Sequence, residues 1–256
     1  MRSGSPREDV QRLLEEHCRV WHRKAVLRRI YRDEFFDRVL ASCRPGGVSV
    51  EVGAGPAFLK ERAPTVVSTD VVWCPWLDAV ADAQHLPFRS GHVTNVLGVD
   101  VLHHVATPLA FLKEAERILI NGGRLVLVEP WITPFSYLVY RYLHQEDCDL
   151  TADPLAGMSI RSAESKRPLD GNQAIPYLLF GPAVLARTLG SLPGFRPLAI
   201  EPFCLFAYLL SLGFKRASLL PEWMYPVVSR LEHATIEWWR SAAALRALIV
   251  LEKQAG

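Results

Sequence analysis

The chain has 256 residues, half of them hydrophobic, and a formal charge of +2. That length and composition allow one large α/β domain with a substantial core and exclude a disordered or fibrous chain. So small a net charge gives no general attraction to nucleic acid.

The five cysteines, Cys18, Cys43, Cys74, Cys148 and Cys204, are scattered, odd in number and form no CxxC pair. Neither a disulfide framework nor a metal-ligating set is expected, and a reducing, cytoplasmic setting fits them. The N-terminal MRSGSPREDVQRLLEEH has no apolar signal core. The longest apolar run, residues 203–214, is about a dozen residues, against the roughly 20 that a membrane span needs.

Residues 8–43 read as helix, with Val20, Trp21, Val26, Leu27, Ile30, Tyr31, Phe35, Val39 and Leu40 at mixed three and four spacing. Arg44-Pro45-Gly46-Gly47 stops it. Residues 48–52, 66–72 and 93–99 read as short buried strands, and 108–120 as an amphipathic helix ended by Asn121-Gly122-Gly123. Residues 125–128 form another buried strand. Between 131 and 178 aromatics, acids and prolines show no clean period, and this stretch reads as an inserted lid or acceptor region. Residues 181–192 look helical, 195–200 and 245–253 look like strands, and 203–243 are rich in Leu, Trp, Tyr and Phe.

Strands alternating with helices predict a doubly wound, mostly parallel sheet with helices on both faces. The chain divides into an N-terminal helical cap (1–45), a nucleotide-type core (46–130), a lid (131–180) and a C-terminal completion of the sheet with an apolar helical insert (181–256).

The strongest local signal is Glu51-Val-Gly53-Ala54-Gly55-Pro-Ala57 at the end of the first strand. Glycines at a strand-to-helix turn let a ligand approach the backbone. Asp70, followed by Val71, lies near the end of the second strand, where a carboxylate accepts from both hydroxyls of a ribose. Asp82-Ala83-Gln-His-Leu-Pro-Phe88 follows, with a carboxylate for an adenine amine and apolar neighbours for its ring. Asp100-Val-Leu-His103-His104-Val105 closes the third strand on the side where doubly wound sheets bind ligands.

With these four elements in order, residues 46–130 resemble the class I S-adenosylmethionine-dependent methyltransferases, in particular the small-molecule group with ExGxG, DAxxLPF and LHHV signatures. The resemblance implies S-adenosylmethionine as cofactor. It implies Glu51, Gly53, Ala54 and Gly55 around the methionine moiety, Asp70 and Val71 at the ribose, and Asp82 and Ala83 at the adenine. Asp100, or its backbone, would help to seat the methionine amino group. Ala57 departs from the pattern, which usually has a third glycine there. Two other readings are a nicotinamide-dependent reductase, which does not explain Glu51 or DAQHLPF, and a catalytically silent binding module.

Methyl transfer from a sulfonium is an in-line displacement, so the protein mainly positions the nucleophile and removes its proton where it is a hydroxyl. His104 and His103 are the candidate bases, with packing or capping the plainer role for either. His144, Glu146 and Asp147, in Tyr142-Leu-His-Gln-Glu-Asp, are candidate acceptor contacts, with a solvated loop the plainer reading.

A basic run from Arg19 to Arg32 beside Trp21 and Tyr31 suits an anionic membrane or a phosphorylated substrate, or else a solvated helix face. The apolar residues 203–228 suit an acceptor tunnel, a peripheral membrane contact at the inner face, a homodimer face or simple core packing. The expectation is therefore methyl transfer, to oxygen first, on a small-molecule or lipid-like acceptor such as a lipid-linked glycan.

Overall fold

The structure is a computed structural model that describes residues 6–144, 146–156 and 170–255. The N-terminal helical stretch is broken rather than continuous. Helix α1 (Pro6–Arg23) ends at Lys24, α2 (Ala25–Ile30) passes through a wider π turn, Tyr31–Phe36, and α3 (Asp37–Ser42) completes it.

Lys24 leaves the helical region at φ −109°, and its buried ammonium explains the break. Nζ donates to the carbonyls of Ser211, Gly213 (2.7 Å), Lys215 (2.9 Å) and Ala217 (2.8 Å). A charged donor is thus exchanged for a loop whose carbonyls no strand or helix would satisfy.

The core strands follow: β1 (Ser49–Glu51), β2 (Val67–Asp70), the short β3 (Ala79–Val80) and β4 (Val93–Val99). Helix α4 (Pro108–Ile118), with Pro108 in its first turn, leads into β5 (Leu119–Pro130). The lid region holds more helix than its sequence suggested. Helix α5 (Pro134–Leu143) starts at a reciprocal cap in which the Thr133 and Ser136 side chains each accept from the other's backbone N–H. Helix α6 (Ile175–Phe180) lies at the far end of that region, and 157–169 fall outside the described residues. The chain finishes with α7 (Leu185–Gly190), β6 (Phe195–Phe203), α8 (Phe206–Ser211), α9 (Tyr225–Ala243) and β7 (Arg246–Lys253).

The seven strands form one sheet in the order β3-β2-β1-β4-β5-β7-β6. The first five pair in parallel; β7 pairs antiparallel to both β5 and β6. β4 and β5 carry near-continuous aliphatic runs because both faces of the sheet are covered. Leu125 and Leu127 face a core with Phe111, Leu112, Ile118 and Phe180; Val126 and Val128 face the opposite core with Trp21, Leu27, Phe35 and Phe203. Alternation along one strand thus ties the helices of both layers to the same backbone. Parallel pairing then puts the C-terminal ends of β1, β2, β4 and β5 along one edge of the sheet.

Candidate functional site

The glycine turn follows β1 directly. Gly53 has φ +61°, and a Cβ on it would lie 2.3 Å from Cγ2 of Val101, in the loop after β4. Only a residue without a side chain allows the two loops to meet there. Gly55 has φ +49°, and its carbonyl accepts from the Trp76 indole at 2.7 Å. Ala54 N–H is tied to the Thr69 carbonyl at 2.9 Å. Ala57 adopts the left-handed conformation, φ 54°, that a glycine would take without strain. The helix after it shrinks to a single turn, Phe58–Glu61. Helix α1 roofs this turn: Leu14 stands over Gly55, and the Trp21 and Phe58 rings stack at 4.0 Å.

Three carboxylates surround the turn at the ends of parallel strands. Glu51 is buried, and its Oε2 has no hydrogen-bond partner among the described residues. Burial, and then the nearby Asp70 charge, raise its pKa to about 8. Asp70 accepts from Gly55 N–H and Val72 N–H, both at 2.9 Å, one on each oxygen. Each oxygen keeps a lone pair for a further donor. Burial raises its pKa as well, against those two backbone bonds. Val71, beside it, is 52% exposed.

Asp82 lies just beyond β3, at the same end of the sheet as Asp70. Its Oδ1 accepts from Gln84 N–H at 2.9 Å, and Ala83 packs on the core. A bare carboxylate oxygen for an ammonium, a backbone cradle that a Cβ would fill, paired acceptors for vicinal hydroxyls and an exposed apolar side chain for a ring together fit S-adenosylmethionine.

Asp100 is placed differently. It takes φ +57°, and its carboxylate faces the buried guanidinium of Arg246 at 2.8 Å. Burial raises its pKa while Arg246 pulls it down. Arg246 also donates to the Tyr208 hydroxyl at 2.9 Å and lies over that ring. The Asp100 side chain thus belongs to an ion pair between the loop after β4 and the start of β7.

The two histidines sit on a single turn, Leu102–His104, beyond β4. Glu129, at the end of the neighbouring β5, is fully buried. Its Oε1 accepts from Val101 and Leu102 N–H at 2.9 and 2.7 Å, and its Oε2 from His103 Nδ1 at 2.7 Å. His103 Nε2 faces Glu146 Oε2 at 3.4 Å, and His104 Nε2 lies 3.9 Å from the same oxygen. Gln173 donates to that oxygen at 2.5 Å.

Burial alone would lower the His103 pKa; the bonds and charges of Glu129 and Glu146 outweigh it and raise it to about 9. The same contacts outweigh burial at Glu146 and bring it to about 2. His144 is exposed at the end of α5 and accepts from Glu146 N–H at 3.3 Å.

The structure therefore brings His103, His104 and Glu146 together and leaves His144 at the rim. Glu129, Gln173 and Arg246 were not among the candidates from sequence. The one available signal was an acid closing the aliphatic strand Leu125–Val128.

Residues 52–127 match the family model described as "Methyltransferase domain". That segment of the chain is a methyltransferase domain. No curated protein matches the sequence significantly. Among solved structures, an S-adenosylmethionine-dependent methyltransferase of Thermotoga maritima is 16% identical, with a TM-score of 0.52 over 95% of this chain and 98% of that one. One from Archaeoglobus fulgidus is 15% identical, with a TM-score of 0.52 over 88% and 94% of the two chains. At that distance the likeness is one of fold. The enzyme uses S-adenosylmethionine as its methyl donor, and the glycine turn that matched the sequence signature lies within the family-matched segment.

Proposed function

We propose that this methyltransferase transfers the methyl group to a hydroxyl of a lipid-like acceptor, such as a lipid-linked glycan. In this reading Glu51 receives the cofactor's ammonium, Asp70 its ribose and Asp82 its adenine amine. The carrying observation is the imidazole–carboxylate cluster at the ends of β4 and β5, next to the cofactor turn across β4. When bound, the cofactor supplies an electrophilic methyl that needs no further activation. A hydroxyl does need help, because it attacks poorly until its proton leaves. His104, half-buried on the open side of the cluster, takes that proton, while Glu129 holds His103 rigidly behind it.

A lipid-like acceptor is supported by what lies beside the cluster. Helix α5 leads straight into His144 and Glu146, and it packs against α9. Together they expose Leu138, Tyr142, Leu143, Val227, Leu231 and Trp238, the last 84% exposed. Single exposed apolar residues are ordinary, but a run of them with tryptophan at its edge fits a membrane interface. The basic N-terminal stretch contributes differently. Its apolar stripe is buried in the fold, so it offers a membrane charge and no apolar face. No described helix is long and apolar enough to cross a membrane, and we place the enzyme at the cytosolic face as a peripheral protein.

The test is methyl transfer from labelled S-adenosylmethionine to a detergent-dispersed lipid extract, beside water-soluble sugars and amines. Label in a base-stable ether of the lipid fraction is expected, with turnover reduced in His104→Ala and cofactor affinity preserved. Label on nitrogen or carbon, or only in the aqueous fraction, would overturn the reading.

A further inference from the structure

We infer that His103, His104 and Glu146 form a binding site for one divalent transition-metal ion of the zinc class. One ligand atom from each residue, an imidazole nitrogen from each histidine and a carboxylate oxygen, lies within 4.8 Å of the other two. A tetrahedral site with bonds of about 2.0–2.1 Å holds its ligand atoms roughly 3.4 Å apart. The His103 Nε2 to Glu146 Oε2 separation is already 3.4 Å, and that from His104 Nε2 is 3.9 Å. Only a few tenths of an ångström remain on the second edge, at a half-buried side chain on a short turn.

The surroundings are built as metal sites are. His103 Nδ1 is 2.7 Å from Glu129 Oε2, and Glu129 is itself anchored by two backbone N–H groups. A proton held on Nδ1 by this carboxylate turns the Nε2 lone pair toward Glu146. That is the carboxylate–histidine–metal arrangement which orients a ligand and strengthens its basicity. Without an ion, Nε2 carries a proton toward Glu146 across the same 3.4 Å, and a divalent ion would take that proton's place. Gln173 holds the ligating carboxylate from the other side at 2.5 Å. Gly171 lets the backbone close over the cluster: a Cβ there would stand 2.7 Å from Glu146 Oε2 and 2.8 Å from His104 Nδ1. Asn172 N–H then stitches the segment to the His103 carbonyl at 3.0 Å.

Two nitrogens and one oxygen suit borderline ions such as Zn2+, Co2+ or Ni2+ better than Ca2+ or Mg2+, which prefer all-oxygen shells. Two charged carboxylates around the site, Glu129 and Glu146, balance a double positive charge. Three protein ligands leave a position for an outside oxygen, as in catalytic rather than structural zinc sites.

If the cluster is the acceptor end of the enzyme, as proposed above, that oxygen is the acceptor hydroxyl. Bound to the ion it loses its proton to solvent more readily. The new carbon–oxygen bond then forms as the methyl–sulfur bond breaks, with the electron pair staying on sulfur. In this state His104 is a ligand, and the ion does the work assigned above to its imidazole.

The experiment uses the full chain, freed of metal by a chelator and then dialysed. Zn2+ is titrated against a chromophoric competitor, Co2+ is followed by its visible d–d bands, and S-adenosylhomocysteine binding is measured in parallel. One equivalent of Zn2+ is expected, with a four-coordinate Co2+ spectrum. Affinity should fall at least about tenfold in His104→Gln and in Glu146→Gln, and by about 10–100-fold in Gln173→Leu through the ligating carboxylate. Near-native melting and unchanged S-adenosylhomocysteine binding show that each variant is folded. Stoichiometric binding that survives both ligand substitutions would place the ion elsewhere and overturn the site, as would the absence of any binding. Because neither metal readout contains acceptor or donor, failure of the methyl-transfer reading would show only in the S-adenosylhomocysteine and transfer assays.

Discussion

Replacing Gly53 with alanine adds one methyl group at the place where the cofactor turn touches the loop after β4. Two costs follow from the structure. With φ +61° the new residue sits in the left-handed region, which costs an L-residue about 1–2 kcal/mol. The new Cβ also stands 2.3 Å from Val101 Cγ2 and 2.8 Å from its Cβ, far inside the roughly 3.5–4.0 Å of an ordinary carbon contact.

Val101 cannot easily turn aside. It is β-branched and stiff at χ1, and its N–H is held by Glu129 at 2.9 Å. Its other methyl lies 2.5 Å from where a Cβ on Gly98 would be. Overpacking of this kind costs about 1–3 kcal/mol, so Gly53→Ala should lose about 2–5 kcal/mol in all. Denaturant titration with an unchanged slope measures the loss. Adding Val101→Ala removes the Cγ2 clash but keeps the Cβ contact at 2.8 Å, so it should return only part of the overpacking, about 1 kcal/mol, and leave the backbone cost in place. A Gly53→Ala protein within about 0.5 kcal/mol of the wild type, the range of an ordinary surface change, would refute this account of the turn.

The other expectations are smaller or act on binding. Ala57→Gly should raise stability by about 0.5–1 kcal/mol in the same titration, since it relieves a left-handed alanine at some cost in unfolded-chain entropy. Lys24→Met should lower stability by about 3 kcal/mol, because it strips a charged donor from four loop carbonyls. Asp70→Ala should weaken S-adenosylhomocysteine binding by about 1.5–3 kcal/mol, read by calorimetry.

Glu51 carries a pH prediction. Its folded pKa of about 8 stands above that of an unfolded carboxyl, so the folded state holds a proton the unfolded chain has lost. Its contribution to stability is complete below the unfolded pKa and is lost as pH rises through about 8. Denaturation between about pH 6 and 9 should show that decline flattened in Glu51→Gln. Under the proposed placement of the cofactor ammonium at Glu51, cofactor binding should release a proton near neutral pH, seen as a dependence of binding heat on buffer ionisation. No such dependence would separate Glu51 from the ammonium.

The sheet was legible where the chain's own pattern settles the answer. Val93–Val99 was read at its observed bounds because every residue in it but Asn95 is apolar, small or β-branched. The lid was not. Helix α5 is held by the Thr133–Ser136 cap and by Pro134 in its first turn, but its sequence PFSYLVYRYL is apolar on nearly every side. No polar face marks a period, because the helix covers α9 on one side and leaves aromatics exposed on another. β3 was missed for a different reason. Two residues make no pattern, and Ala79 and Val80 pair with β2 only because the preceding loop returns to it through Asp78, whose carboxylate accepts from Ser68 N–H at 2.8 Å.

The proposed cofactor half of the site could be drawn from sequence because one short stretch of chain supplies most of it. Glu51, Gly53 and Gly55 stand within one turn, and Asp70 and Asp82 follow at the ends of the next two strands, so linear order reports spatial order. The acceptor half is assembled the other way. Glu129 reaches His103 from the end of β5, Glu146 arrives from beyond α5, and Gln173 and Gly171 come from the far end of the lid. Arg246 reaches Asp100 from the last strand. No spacing rule joins residues 103, 129, 146 and 173, because what brings them together is the parallel pairing of β4 with β5 and the return of the chain over their ends. A carboxylate at the close of a buried aliphatic strand is therefore worth reading as half of a pair. The energetic cost of burying it is met only if a donor from a neighbouring strand end comes to it, and here that donor is one of the two histidines.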